Sequence, residues 1–136
     1  MNYWLMKVEP TAYSIEDLER DGTTNWDGVR NFQARNFLRA MQVGDKVLFY
    51  ASSAEPSGVT GLAEVSKEAR PEPKDPNWSM VEIRFVKRFR EIVPLETLKK
   101  TKGLEKMVVV QKGTRLSVQP ATKAEYDIIA KLGKES

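Results

Sequence analysis

The sequence predicts an α+β fold: a strongly bent, mixed or antiparallel sheet of about five or six strands, or a small barrel, with short helices flanking it. Two kinds of pattern lead to this prediction. Short segments rich in β-branched and aromatic residues recur along the chain and are bounded by Gly, Pro, Asn or Asp. Helical segments with capping signals lie between them in mixed order. The 136 residues show no internal repeat and fit a single domain over positions 1–136.

The N-terminal part of the chain predicts a strand and then a short helix. Residues 3–8, YWLMKV, are aromatic and apolar, and their side chains would alternate between the two faces of a sheet. Ser14 is a suitable N-cap for a helix that Asp21-Gly22 ends. Asp17 stands where a capping box places its second acceptor.

The stretch at positions 26–41, WDGVRNFQARNFLRAM, carries the strongest helix signal. A turn at Asp27-Gly28 leads to Asn31, which suits the N-cap position. An apolar stripe then recurs at helical spacing, formed by Ala34, Phe37, Leu38 and Met41. Such a helix start, with an aromatic and several amide and guanidinium groups around it, could hold a planar polar or anionic ligand. A buried helix with a solvated basic face is the competing interpretation.

The rest of the chain predicts more strands and two further helices. Strands are expected at positions 46–50, 59–68, 78–89 and 115–120. Gly58 and Gly61 indicate a bend or a close approach of two backbones. The segment at 70–77 contains three prolines and is expected to be irregular, and the apolar segment at 107–111 is β-branched. A short helix is expected at 94–100, and Thr122 with Glu125 predicts a capping box for a C-terminal helix.

Composition excludes several kinds of chemistry. The chain contains neither cysteine nor histidine, so disulfides, the usual zinc sites and imidazole-dependent catalysis are excluded. No Gly-rich phosphate motif and no compact acidic cluster occur, and no cofactor is expected. The N-terminus lacks a signal-peptide pattern and no apolar run could span a bilayer, so we expect a cytoplasmic protein that does not bind membranes. A monomer is expected. The net charge of +3 permits a nucleic-acid partner.

Aromatic and polar side chains remain as candidates for a binding site. The rings of Trp4, Trp26, Tyr50 and Trp78 could stack on a flat ligand. Hydrogen-bonding groups that could read the polar edge of such a ligand are Arg30, Asn31, Gln33, Ser52, Arg115 and Ser117. We therefore expect the tryptophan rings and these groups to converge on one cavity that holds a single flat ring. For any one tryptophan, ordinary packing in the core is the competing interpretation.

The sequence resembles the EVE domain family over nearly its whole length. The matching segments are YWLMKVEP at 3–10, YSIEDL at 13–18, WDGVRNFQARNFLRAM at 26–41, GDKVLFYASSAEPSGVTGLAEV at 44–65 and RLSVQP at 115–120. The resemblance implies a PUA-like fold, a compact β-barrel with flanking helices, related to the YTH and ASCH domains. It also implies recognition of a modified base, such as methylated or hydroxymethylated cytosine, in DNA or RNA. The base would be flipped into an aromatic-lined pocket.

The resemblance and the residue chemistry together predict the ligand-binding residues. They are Trp4, Trp26, Val29, Arg30, Asn31, Gln33, Arg35, Tyr50, Ser52, Arg115 and Ser117. Trp26 or Trp4 would stack on the base, and Asn31 and Ser52 would meet its edge. Phosphate or carbonyl oxygens would be approached by Arg30, Arg35 and Arg115. The chain departs from the family pattern at Val8, where Ser is frequent, and at Ala51, where His is frequent.

Two other functions are compatible with the sequence. An enzyme acting on a modified nucleotide or small amide, by analogy with ASCH proteins, would need Lys7, Glu9 or another carboxylate with a shifted pKa in the pocket. A pocket for a small molecule or protein tail would need no nucleic acid at all. A basic rim around the pocket would favour nucleic acid, and an even scatter of the 22 Lys and Arg residues would favour the small molecule.

Overall fold

A computed structural model describes residues 1–112 and 115–135 of the chain. The strands are β1 (Tyr3–Val8), β2 (Thr23–Trp26), β3 (Lys46–Ala51), β4 (Gly58–Pro71), β5 (Ser79–Pro94) and β6 (Val118–Ala121). They form one sheet in the order β2-β5-β4-β3-β1-β6, in which β1 and β3 are parallel and the other neighbours antiparallel. The predicted mixed sheet is confirmed. Within the described residues no pairing joins β2 to β6, so the word barrel applies only loosely.

Four α-helices flank this sheet in the described part of the chain. They are α1 (Ile15–Asp21), α2 (Phe32–Ala40), α3 (Leu95–Lys100) and α4 (Lys123–Glu135). Both predicted capping boxes are present: Ser14 Oγ accepts from the Asp17 amide at 3.1 Å, and Thr122 Oγ1 accepts from the Glu125 amide at 3.1 Å. In each box the acidic side chain also accepts a hydrogen bond from the backbone N–H of the cap residue, at 2.9 Å in both cases. The predicted helix starts are therefore correct because the capping chemistry is local.

Apolar side chains are buried on both faces of the sheet. Trp4 and Met6 of β1 join one cluster, to which α2 contributes Ala34 and Leu38. Leu5, between them in sequence, joins the opposite cluster with side chains of α3 and α4. This alternation is the period-two pattern of a strand buried on both sides. The helices therefore cover both faces and leave the site described below at the end of the sheet where β1 and β2 finish.

The structure differs from the sequence-based expectation at three places. Strand β2 was not predicted, because its four residues carry little apolar signal and are held by pairing with the longer β5. The segment at 107–111, whose β-branched composition favours extended backbone, instead contains a 3₁₀ helix at Val108–Val110. β4 runs through Pro71, so only the later part of 70–77 is irregular.

Glycine at position 61 allows the two long strands to approach closely. The β4–β5 register shifts between Val59 and Gly61. A Cβ at Gly61 would lie 2.4 Å from the Lys87 carbonyl oxygen and 2.7 Å from Ile15 Cδ1. Both distances are shorter than van der Waals contact, so the predicted close approach is confirmed.

Candidate functional site

A cleft of about 480 Å³ opens where β1, β2 and the turn before α2 meet. This volume lies within the range of ligand pockets in proteins. The side chains and backbone that line it belong to Lys7, Val8, Ala12, Tyr13, Thr24, Asn25, Trp26, Asp27, Gly28, Val29, Arg30 and Ser117. One indole, two valines, an alanine and a tyrosine ring supply its apolar wall, and carboxylate, amide, hydroxyl and cationic groups stand beside them. The cleft can thus accept a flat, partly polar ring.

Trp26 is held in the wall of the cleft by the core behind it. Its side chain is only 8% exposed and packs edge-to-face on Phe49, with ring centroids 5.8 Å apart and an interplanar angle of 89°. Such an edge-to-face pair is a favoured aromatic geometry. Directly after Trp26 the chain turns at Gly28, whose φ of +77° suits glycine. The indole therefore has a fixed orientation before any ligand arrives.

A buried carboxylate fastens the turn at positions 27–30 to the loop after β4. Glu72 is 6% exposed, and its two oxygens accept from Arg30 Nη1 and Nη2, both at 2.8 Å. Glu72 Oε2 also accepts from the Gly28 amide at 3.0 Å. The hydrogen bonds from Arg30 hold the pKa of Glu72 below its usual range. Arg30 is thus largely neutralised, and it positions the rim of the cleft more than it supplies free charge.

We expect Glu72→Gln to remove a pH-dependent part of the stability. Because the pKa of Glu72 is lowered in the folded protein, the ionised carboxylate stabilises the fold at every pH above the ordinary pKa of a Glu carboxyl. This contribution is lost as pH falls through the lowered folded pKa. Urea unfolding of both proteins from pH 7 to pH 2 should show an advantage of the native protein that disappears on acidification. A difference that is constant with pH would contradict this role of the ion pair.

Two further clefts adjoin the first. One of about 520 Å³ shares Lys7, Val8 and Ser117 with it and is otherwise lined by Glu9, Tyr50, Ser52, Ser53, Ser57, Leu95 and Arg115. The other, of about 690 Å³, also includes Lys7 and is otherwise lined by Tyr50, Leu95, Lys99, Glu105, Val109, Val110, Gln111 and Lys112. The three clefts have Lys7 in common and are together called the groove here, and their lining carries more cations than carboxylates.

Lys7 stands at the junction of the three clefts. Its ammonium lies 5.6 Å from the centroid of the Tyr50 ring, a distance at which a cation and an aromatic face attract each other. Partial burial lowers the pKa of Lys7 and raises the pKa of Tyr50. A cation that has already lost part of its hydration is suited to bind an anion that enters the groove.

The predicted site residues occupy several places. Trp26, Val29, Arg30 and Ser117 line the 480 Å³ cleft. The 520 Å³ cleft contains the predicted Tyr50, Ser52 and Arg115, again with Ser117. A separate hollow of about 400 Å³ is lined by Asn31 and Gln33, together with Arg115. Asn31 Oδ1 accepts from the Ala34 amide at 2.9 Å and caps α2, as predicted from its position.

The expectation that the tryptophan rings converge on one cavity is wrong. Trp4 is 5% exposed, its ring packs on Phe37 at 5.8 Å, and it lines none of the clefts described above. Its Nε1 donates to the buried Asp45 Oδ2 at 3.0 Å. Trp78 stacks on Phe32 outside the groove. Trp26 is therefore the one tryptophan that faces the 480 Å³ cleft within the described residues.

Sequence reasoning missed several residues that line the 480 Å³ cleft. They are Ala12, Tyr13, Thr24, Asn25 and Asp27, together with Lys7 and Val8 as wall residues. Lys7 was expected in the pocket only under the enzyme alternative, although a lysine stands out in an otherwise apolar strand. Asn25 could not have been found, because strand β2 was not predicted. Val8 and Ala51, where the chain departs from the family pattern, lie opposite each other in the β1–β3 ladder.

The described residues contain neither a candidate metal site nor a helix that could cross a membrane. No three His, Cys, Asp or Glu side chains stand close enough there to hold a metal ion. None of the described helices combines the length and the hydropathy needed to cross a bilayer. The expected cytoplasmic location and monomeric state stay predictions.

Comparison with known proteins gives a consistent result. The EVE domain model matches residues 2–132. Thymocyte nuclear protein 1 of Mus musculus is 41% identical over an alignment that covers 96% of this chain and 73% of the mouse protein. A solved Pseudomonas syringae protein has a TM-score of 0.92 at 42% identity, over 96% of this chain and 99% of that chain. The human THYN1 protein, crystallised with DNA containing 5-methylcytosine, has a TM-score of 0.87 at 36% identity, over 100% and 99%.

Proposed function

The chain belongs to the EVE domain family, and on that basis we propose that it binds nucleic acid and holds one modified base, such as methylated or hydroxymethylated cytosine, in the 480 Å³ cleft. The observation that carries the proposal is the Trp26 wall, rigidly packed and surrounded by polar groups. The human THYN1 complex with 5-methylcytosine DNA supports it, since the two chains align over their whole length. DNA and RNA are both compatible with this cleft.

The lining residues suit a cytosine-type base that has left the stack. Trp26 offers a face for stacking, and Val8 and Val29 offer apolar surface for a methyl group. The Asp27 carboxylate is an acceptor for an exocyclic amino group. Asn25 Oδ1 already accepts from Arg70, so its amide NH₂ is the part that donates to a ring nitrogen or carbonyl oxygen. A base lacking the matching groups would leave these donors and acceptors unpaired, and it would bind more weakly.

The adjoining clefts provide a path for the sugar-phosphate backbone. Lys7, Arg115, Lys99 and Lys112 line it and would contact phosphates without reading sequence. Cations are not confined to this face, however. A separate cavity of about 720 Å³ is lined by Lys87, Arg88, Arg90 and Lys134. These cations could attract nucleic acid by charge alone, so experiments must distinguish that attraction from recognition of the base.

We expect Lys7→Met to weaken binding of modified and unmodified oligonucleotides alike, by severalfold near 0.1 M salt. Each phosphate contact removed should lower the salt dependence of log K by about one. Lys87→Met is the matched control, because it removes the same charge beside the 720 Å³ cavity. Fluorescence anisotropy at several salt concentrations measures both. If both variants lost the same amount of affinity, nucleic acid would not follow the groove.

The base itself is tested by titrating single-stranded oligonucleotides that differ at one position. That position carries cytosine, 5-methylcytosine or 5-hydroxymethylcytosine. We expect tighter binding to a modified base, with a ratio that changes little with salt, because contacts to the base edge do not release counterions. Equal affinity for all three at every salt concentration would reduce the interaction to generic electrostatic contact.

We propose that the protein acts by binding, without turnover. The chain has no histidine or cysteine to act as general base or nucleophile. Lys7 has a pKa lowered by burial, but its position at the junction of three clefts suits a phosphate contact. Incubation with modified nucleosides and oligonucleotides should give no product above background. Product formation that disappears in Lys7→Met would show catalysis instead.

A further inference from the structure

We propose a second nucleotide-binding site at the mouth of the cleft, formed by Phe32, Trp78, Arg30 and Arg35 and here called the aromatic shelf. Its occupant is the base next to the modified one in the same strand, stacked on the exposed ring of Phe32. The inference rests on the proposed function, because it assumes that one base has been drawn into the 480 Å³ cleft.

Phe32 is an exposed ring held in a fixed position. It lies at the start of α2 with 65% of its surface exposed, more than any other aromatic side chain in the described residues. The ring stacks on Trp78 with centroids 5.2 Å apart and planes inclined by 21°. Trp78 is half-buried just before β5 and anchors the pair. Core packing does not explain this exposure, because α2 already buries Ala34 and Leu38 on its inner side.

Guanidinium groups flank the two rings. The Arg35 guanidinium carbon lies 4.8 Å from the Phe32 centroid and 5.5 Å from the Trp78 centroid, and that of Arg30 lies 5.2 Å from Trp78. Arg35 Nη1 donates to the Asn77 carbonyl oxygen at 3.0 Å, and Arg39 Nη2 donates to the same oxygen at 3.2 Å. These contacts fix the loop that carries Trp78.

The charge beside the shelf is positive. Arg30 is neutralised by Glu72. Arg35 and Arg39 instead donate to carbonyl and hydroxyl oxygens, and neither forms an ion pair with a carboxylate among the described residues. Their charge is therefore available to phosphates. An aromatic face beside uncompensated guanidinium groups is the arrangement by which single-stranded nucleic acid is bound.

The shelf adjoins the cleft through Arg30, which lines the cleft and also lies over Trp78. Drawing one base into the cleft removes a stacking partner from each neighbouring base. Phe32 can replace that partner for one of them. Stacking of a base on an aromatic ring typically changes affinity by about tenfold or more. The shelf thus favours an already unpaired or single-stranded target.

The test couples Phe32 to the neighbouring base. Five-nucleotide single strands carry 5-methylcytosine at the centre, with every base intact or with an abasic site at the 5′ or the 3′ neighbour. For the native protein, we expect removal of one of the two neighbouring bases to weaken binding by about tenfold. Phe32→Ala should bind the intact strand about tenfold more weakly and be indifferent to that abasic site. Phe32→Tyr keeps the ring and should behave as the native protein, whereas Phe32→Leu should resemble Phe32→Ala.

Free 5-methylcytidine separates the shelf from the cleft, because it has no neighbouring base. It should bind the native protein and Phe32→Ala equally. The shelf is excluded if Phe32→Ala weakens the intact strand and both abasic strands by the same factor, or weakens none of them. The shelf is also excluded if Phe32→Tyr loses as much affinity for the intact strand as Phe32→Ala does. Failure of the proposed function would show differently, as equal binding of the native protein to strands with modified and unmodified central cytosine.

Discussion

Trp26→Leu is expected to weaken binding of an oligonucleotide carrying the modified base by about tenfold to a hundredfold, which corresponds to the roughly 1–3 kcal/mol of one base-aromatic stack. It should also remove most of the preference for the modified over the unmodified base. Leucine keeps apolar volume in the wall of the cleft but offers no aromatic face. Parallel titrations of the two oligonucleotides at one salt concentration measure both effects.

Trp4→Phe is the control for the loss of a buried tryptophan. Trp4 and Trp26 belong to the same core cluster and are similarly buried, but only Trp26 lines the 480 Å³ cleft. Trp4→Phe should lower the melting temperature, since the indole N–H bond to Asp45 is lost. Once folded, it should bind as the native protein does. An equal loss of affinity in both variants would mean that general loosening of the core, and not the stack, weakens binding.

Asp45→Ala is expected to lower the free energy of unfolding by about 3 kcal/mol or more. Asp45 is 1% exposed, and its carboxylate accepts from the Asn2 amide, Trp4 Nε1 and the Gln42 amide, all at 3.0 Å. Hydrogen bonds to a charged acceptor are stronger than neutral ones, and their loss here leaves the buried indole N–H without a partner. Urea denaturation at pH 7 measures the change.

Two other substitutions show whether this effect belongs to the buried carboxylate. Asp45→Asn keeps one carbonyl acceptor and should fall between the native protein and Asp45→Ala. Asp127→Ala removes an exposed carboxylate that pairs with Lys123 on α4 and should leave the unfolding free energy nearly unchanged. If Asp45→Ala were as harmless as Asp127→Ala, the network around Trp4 would have no structural role.

Local signals predicted the helices better than the short strands. α2 was predicted from its cap at Asn31 and its apolar spacing, because both act within a few residues of sequence. Strand β2 was missed because its stability comes from pairing with β5, in which Trp26 lies opposite Val81. The segment Val108–Val110 has the β-branched composition of a strand but forms a 3₁₀ helix, because packing and not composition decides its conformation.

The same limit applies to the candidate site. Trp4 and Trp26 carry equal weight in the sequence as stacking residues. They differ because Asp45, 41 positions from Trp4 in the sequence, accepts a hydrogen bond from the Trp4 indole N–H in the core. Arg30 was predicted as a ligand contact, but Glu72, 42 positions away, neutralises much of its charge. Long-range partners of this kind leave no periodic trace in a single sequence.

Fluorescence of Trp26 alone tests most directly whether a modified base enters the cleft. In a Trp4→Phe/Trp78→Phe variant, Trp26 is the remaining tryptophan of the three in the chain. We expect its emission to be quenched by a single strand containing the modified base, with the same Kd that anisotropy gives, and much less by the unmodified strand at equal occupancy. Binding that leaves the emission of Trp26 unchanged, or quenches it equally with both strands, would contradict recognition of the base at this wall.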